Sequence, residues 1–242
     1  MKTYSFAVRN AKEILRDPLT FIFGLGFPVV VMLLLQAIQA NVPAPIFAIE
    51  KLTPGIAVFG MSFITLFSAT LISRDKKSAL LMRLFTTPMR SVDFILGYTL
   101  PVLPLAVAQI VVCYAVAALL GLKVTFGVLL SILYLIPVSL FFIFLGLLFG
   151  SIFNDKQVGT VCGALLTNLT AWLSGTWFDL ELVGGVFKTV AYAFPFVHAV
   201  EASRCIIALS GNVLINSAVV LCYTICAAVL SVIAFKGIMK ES

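Results

Sequence analysis

The sequence predicts an all-α integral membrane protein, and three observations carry that class. Of 242 residues, 62% are hydrophobic and 11% charged, against about 45–50% and about 25% in water-soluble domains. Mean hydropathy is +1.15. Six apolar runs, at residues 19–40, 53–72, 94–120, 126–153, 158–174 and 213–235, approach or exceed the roughly 20 residues that a helix needs to cross about 30 Å of hydrocarbon. This composition excludes a soluble enzyme, a nucleic-acid-binding module and a disordered tail. The formal charge of +6 is therefore read as basic loops held on one side of a membrane.

The first element, residues 1–18, is an interfacial helix. At 100° per residue Tyr4, Ala7, Val8, Ala11, Ile14 and Leu15 fall on one face, with Arg9, Asn10, Lys12, Glu13 and Arg16 opposite. Phe6 alone breaks the pattern. Such a helix lies in the headgroup plane, either as a simple anchor or as an elbow joining the first span to whatever docks beneath. Acidic Glu13 and Asp17, and an apolar run longer than an h-region, argue against a cleavable signal. Gly24, Gly26 and Pro28 in the first span, Pro101 and Pro104 in the third and Pro137 in the fourth mark candidate kinks.

Between the second and third spans, residues 73–93 form the largest basic loop. Leu80, Leu81, Leu84 and Phe85 recur at helical spacing and Pro88 marks a stop, which predicts a short amphipathic helix along the membrane. The loop is either a docking surface or only a topology signal. Residues 176–212 contain Lys188, His198, Glu201 and Arg204. Full charges cost about 2.5–3.5 kcal/mol each at mid-bilayer, which opposes a seventh span. Gly184, Gly185 and Pro195 predict instead two short helices that dip in and return. Of 16 Lys and Arg, twelve fall on the side of the termini and the 73–93 loop, so both termini are expected in the cytoplasm.

The five cysteines form no C-x-x-C pair and read as small packing residues. As bounded above, the spans contain no Asp, Glu, Lys, Arg or His. Carriers driven by protons or ions usually keep such groups in the membrane, and a membrane hydrolase needs a nucleophile with a base or metal ligands. His198, Glu201 and Arg204, spaced i, i+3, predict a local ion-pair network, or with Trp177 an outer gate. No G-x-x-x-x-G-K-[ST] is present, so energy for uphill transport has to come from a separate ATP-binding subunit.

Two polar rows stand out. Ser62, Thr65 and Ser68 share a face of the second span. Thr160, Thr167 and Ser174 recur every seven residues in the fifth, with Asn168 and Thr170 beside them. The rows serve interhelical hydrogen bonds or line a translocation path. Gly146–Gly150 and Gly159–Gly163 are both G-x-x-x-G, fitted to close helix approach. The fourth span packing on the fifth, or a subunit interface, would each explain them.

Taken together, the amphipathic start with its Gly/Pro-containing first span, the loop with Asp75 and Arg83-Leu84-Phe85-Thr86-Thr87-Pro88, and the stretches 173–179 and 194–204 resemble the permease subunit of ABC-2 type ATP-binding-cassette exporters over nearly the whole chain. Family members often carry Gly and Glu where Ala79 and Met82 stand here. The resemblance implies one transmembrane domain over 1–242 with six spans, an elbow, a coupling helix and an outer hairpin. It implies docking of a cytoplasmic ABC ATPase through Asp75, Arg83, Thr87, Pro88 and Arg90, and pairing with a second copy or a paralogous permease. ATP and Mg²⁺ would sit on the ATPase, leaving this chain with no cofactor, no metal and no catalysis of its own. The expected location is the cell membrane, and the expected cargo a small amphipathic compound such as a drug. A lipid-linked glycan, a modified peptide, or a scaffold or sensor without transport are the alternatives.

Overall fold

The computed structural model describes residues 2–78 and 90–241. It is 85% helix, with no strand among the described residues. The amphipathic start forms α1 (Lys2–Arg16). Asp17 then caps the next helix by accepting the Leu19 N–H, with Pro18 at the first helical position, where a missing N–H costs nothing. The first span, α2, runs Pro18–Gln39 and widens into a π turn over Ile22–Gly26, where the Phe27 N–H reaches the Ile22 carbonyl. Pro28, just beyond, has no N–H to offer the preceding turn.

Three long helices follow: α3 (Ile49–Lys77), α4 (Ser91–Leu119) and α5 (Phe126–Ile152). Helix α6 covers 155–173 without interruption, but its centre, Gly159–Leu166, is π. The segment between α6 and the last helix comprises α7 (Leu180–Val183), α8 (Gly185–Tyr192) and α9 (Pro195–Ile207). Helix α10 (Val213–Glu241) completes the chain.

Helices α2, α3, α4, α5 and α10 are each long and apolar enough to cross a membrane, and α8 with α9 meets the same test only as a pair bent by 81°. That bend is the geometry that Pro195 after Ala193 and Phe194 predicts. The expected fifth span falls on α6, where the change of pitch leaves segments each shorter than a span. The expected basic loop is shortened from both ends. Helix α3 runs on to Lys77, its last turn carrying Arg74, Lys76 and Lys77, the charge sign that a helix C-terminus favours. Helix α4 begins at Ser91, where Asp93 accepts the Arg90 N–H. The predicted helix with Leu80, Leu81, Leu84 and Phe85 lies outside the described residues.

Helix α3 is the axis. In its most apolar window 83% of residues are buried, against 28% for α2 and 22% for α10, so the other helices wrap one that scarcely meets lipid. Its partner is α5. A Cβ on Gly146 would stand 2.4 Å from the Thr65 carbonyl, and one on Gly150 2.5 Å from that of Ala69. Only glycine permits this approach. The first G-x-x-x-G therefore packs the fourth span on the second and not on the fifth. At one end of this seam Lys76 Nζ donates to the carbonyls of Gly150, Ser151 and Phe153, which ties the C-terminus of α5 to that of α3.

Candidate functional site: elbow clamp, open strip and outer vestibule

At the end of the molecule that carries α1, Pro101 and Gly97 of α4 set the geometry. Pro101 cannot donate to Gly97, so that carbonyl lacks its helical partner, and Asn10 Nδ2 of α1 supplies one at 3.0 Å. Gly97 has no side chain because Phe6 occupies the space: a Cβ there would lie 2.3 Å from the Phe6 ring. Phe6 stands edge-on to Phe94 and Tyr98. It breaks the amphipathic pattern because α1 buries a second apolar surface against α4.

Asp75, predicted for the coupling surface, faces inward at the end of α3. Only 2% exposed, it receives both Arg9 terminal nitrogens at 2.7 Å and the Tyr98 hydroxyl at 2.8 Å. Burial alone would lower the Arg9 pKa, but the hydrogen bond and charge of Asp75 outweigh it and the net shift is upward. Asp75 thus clamps the elbow to the C-terminal turn of α3 and has no exposed carboxylate to offer a partner. Arg90 is exposed at the cap of α4. Arg83, Thr87 and Pro88 lie outside the described residues.

The two polar rows part company. Ser62, Thr65 and Ser68 are fully buried. Ser62 and Ser68 donate to carbonyls of their own helix, those of Phe59 and Ile64, and Thr65 donates across the seam to Phe142. All three are taken up inside the subunit, Thr65 and Ser68 at the seam of α3 with α5. On α6, Thr167 is buried and donates five residues back to Cys162, a bond matched to the π pitch. Thr170 is buried with no partner for its hydroxyl among the described residues, and Ser174 bonds Thr176. Asn168 faces outward, as do Thr160, Ala164 and Trp172, at intervals of four residues. Gly159 has no neighbour within 4 Å of a would-be Cβ, and Gly163 meets only Leu66 at 3.5 Å. One side of α6 is thus an open strip of small, amide and aromatic groups.

At the opposite end, the turn before α3 and the α7–α9 segment enclose a vestibule of about 520 Å³, lined among others by Lys51, Trp177, Phe178, Tyr192, Glu201 and Arg204. Trp177 Nε1 is buried without a partner, and its ring meets Phe59 edge-on. The predicted ion-pair network does not form. His198 bonds the Tyr192 carbonyl and the Asn216 side chain, Glu201 accepts the Tyr192 hydroxyl, and Arg204 donates to the carbonyls of Lys51 and Gly175. Helical spacing brought the three to one side, but each found a nearer partner on another segment. Burial lowers the Arg204 pKa, opposed by the charge of Glu201. Of the three expected gate residues, Trp177 and Glu201 line the vestibule, while His198 sits behind as a pin between α8, α9 and α10.

The spacing of charges alone did not reveal Asn10, Tyr98 or Gln109. Gln109 lies buried mid-span in α4 beside Gly60, with Nε2 3.3 Å from the Ala57 carbonyl and Oε1 unpartnered. A lone amide in an apolar run was the available signal.

The described residues make a multispan helical membrane domain with a clamped interfacial helix. A family model for the ABC-2 type transporter matches residues 1–208, and the chain belongs to that family. It is accordingly a membrane permease of an ABC transporter, a transport subunit and not a catalytic domain. Membership implies embedding in the membrane and pairing with an ABC ATPase subunit. The matched region ends within the turn after α9, before α10. Among curated proteins, none matches the chain.

Proposed function

We propose that this permease is the membrane half of an ATP-driven exporter for small amphipathic compounds, working as a pair of permeases with both termini in the cytoplasm. ATP and Mg²⁺ bind the ATPase subunit, and Arg83, Thr87, Pro88 and Arg90 meet that subunit. The observation that supports the paired path is the open strip of α6. An amide such as Asn168 gains nothing from lipid, whereas a second copy or a wet path gives it partners. Thr167, Thr170 and Ser174 stand behind the strip as its packed support. Ser62, Thr65 and Ser68 leave the path in this reading, since all three are buried and their hydroxyls are taken up by carbonyls of α3 itself or, for Thr65, of α5. Trp177 and Glu201 form the outer gate, with His198 holding its frame.

The test is reconstitution with the ATPase that copurifies. The complex should hydrolyse ATP and move cargo, and the permease alone should hydrolyse none. Arg83→Ala should lower ATP-driven transport about tenfold, because a guanidinium fork makes several bonds that alanine cannot, while insertion in the membrane stays normal. Full transport by an intact Arg83→Ala complex would reduce the loop to a topology signal.

A further inference from the structure

We propose that the groove between the elbow and the proline-containing face of α4 is a binding site for one anionic phospholipid. The groove has a volume of about 500 Å³, and apolar side chains wall it: Tyr4, Ala11 and Leu15 from α1, Leu100, Pro101 and Pro104 from α4. Tyr4 and Leu15 are 72% and 69% exposed. No segment of the described chain covers them.

Position in the membrane decides what meets this groove. Helix α4 is long and apolar enough to span, and α1 is an amphipathic helix clamped against it; helices of that kind bury their apolar face about 5–10 Å into the boundary between headgroups and acyl chains. The occupant is then an acyl chain. Two prolines give the groove its shape. Pro101 frees the Gly97 carbonyl that Asn10 holds, and Pro104 withdraws the N–H that would otherwise reach Leu100, so both rings stand beside α1 where the helix gives up two of its own hydrogen bonds.

Charge on the other flank of α1 selects the headgroup. Val8 belongs both to the apolar groove and to a polar recess lined by Arg9, Lys12, Glu13, Arg16, Asp17 and Arg74. The acids of that recess are already matched: Glu13 pairs with Arg9, and Asp17 with Arg74. Lys12 and Arg16 are exposed and have no carboxylate partner among the described residues. They stand one and two turns beyond Val8, where long cationic side chains reach up from an apolar surface to headgroup level. A phosphate that lacks a compensating amine satisfies them. A zwitterionic headgroup brings its own cation and gains less.

The experiment uses the full-length permease, delipidated in detergent and titrated with phosphatidylglycerol or with phosphatidylcholine of the same acyl chains, bound lipid being counted by native mass spectrometry. One tightly held phosphatidylglycerol is expected, and soluble glycerol phosphate should not displace it. Replacing both cations (Lys12→Gln with Arg16→Gln) should weaken phosphatidylglycerol about fivefold per charge removed and leave phosphatidylcholine unchanged. Ala11→Phe, which fills the groove, should weaken both lipids. Because Lys12 and Arg16 are exposed, their variants test the headgroup even if Ala11→Phe misfolds. Equal affinity for the two lipids in the native protein, or an undiminished preference after both cations are removed, would overturn the proposal. So would displacement of the lipid by a second copy of the chain or by the ATPase in the assembled complex, since the groove would then be a protein interface.

Discussion

The two G-x-x-x-G motifs share a spacing and have opposite surroundings. Gly146 and Gly150 sit with backbone carbonyls of α3 within 2.5 Å of where a Cβ would be, while Gly159 faces nothing within 4 Å and Gly163 a single leucine. The first motif is filled by the same chain, on the most buried helix of the molecule. The second lies on a π segment that turns small residues and an amide outward. The motif therefore states that something comes close, and only the surroundings tell whether the partner is internal. The unfilled motif leaves room for the second chain of the proposed pair.

The sharpest break of this comparison is a large side chain at the filled motif. Gly146→Leu forces the α3–α5 seam apart against backbone that cannot rotate away. The expected loss is about 3 kcal/mol, the upper part of the range for overpacked interiors, read as a large fall in Tm in detergent and in folded yield. Gly159→Leu, with open space around it, should leave the Tm of the isolated subunit within a degree or two. Equal effects at both sites would mean that the seam yields and that the two motifs are not different in kind.

A second comparison is available at the elbow. Arg9→Ala removes the cation from a nearly fully buried Asp75 and leaves Tyr98 as its remaining hydrogen-bond donor. Arg9 is itself partly exposed, so solvent screens the pair and the expected cost is about 1–3 kcal/mol. Asp75→Asn, which removes the charge that needs compensation, should cost less. If the order is reversed, the clamp rests on Tyr98 and not on the ion pair.

At the open motif the measurement is self-association. Gly159→Leu or Gly163→Leu should weaken permease pairing at least tenfold, about 1.4 kcal/mol, by cross-linking or by light scattering of the purified complex. Undiminished pairing would place the second chain elsewhere.

Much of the fold was legible because apolar run length and punctuation are local properties. The prolines, the Gly184–Gly185 pair and the amphipathic start each mark an element that the structure contains. What was not legible depends on which groups meet. Phe6 looked like a defect until Gly97 and Tyr98 stood opposite it. Asp75 looked like a surface acid because a charge beside a basic loop reads as solvated, yet Arg9, 66 residues earlier, draws it inside. The hydroxyl row of α3 could serve interhelical bonds or a path because periodicity gives a face but not what covers it. His198, Glu201 and Arg204 share one helix but not one another's bonds, since carbonyls, a hydroxyl and an amide from other segments take them up. The π pitch of α6 has no sequence period of its own, so the turn that exposes Asn168 was not foreseeable from spacing.

Asn168 gives the smallest and most specific effect. Its Nδ2 donates to the Ala164 carbonyl on its own helix at 2.8 Å, and among the described residues its Oδ1 meets no partner. Nothing inside the subunit depends on that oxygen, so Asn168→Leu should leave folding and abundance of the complex unchanged. If the strip faces a second copy alone, leucine replaces an interhelical hydrogen bond worth about 0.6 kcal/mol on average with apolar contact, and pairing scarcely moves. If the strip also meets cargo, the substitution removes an acceptor from the path. Compounds that carry a hydroxyl or amine should then lose apparent affinity about threefold to tenfold relative to those that do not. Transport of a panel matched in size and differing in hydrogen-bond donors, normalised to the amount of complex, reads this directly. An unchanged ranking with reduced abundance would make Asn168 a structural residue and move the path off α6.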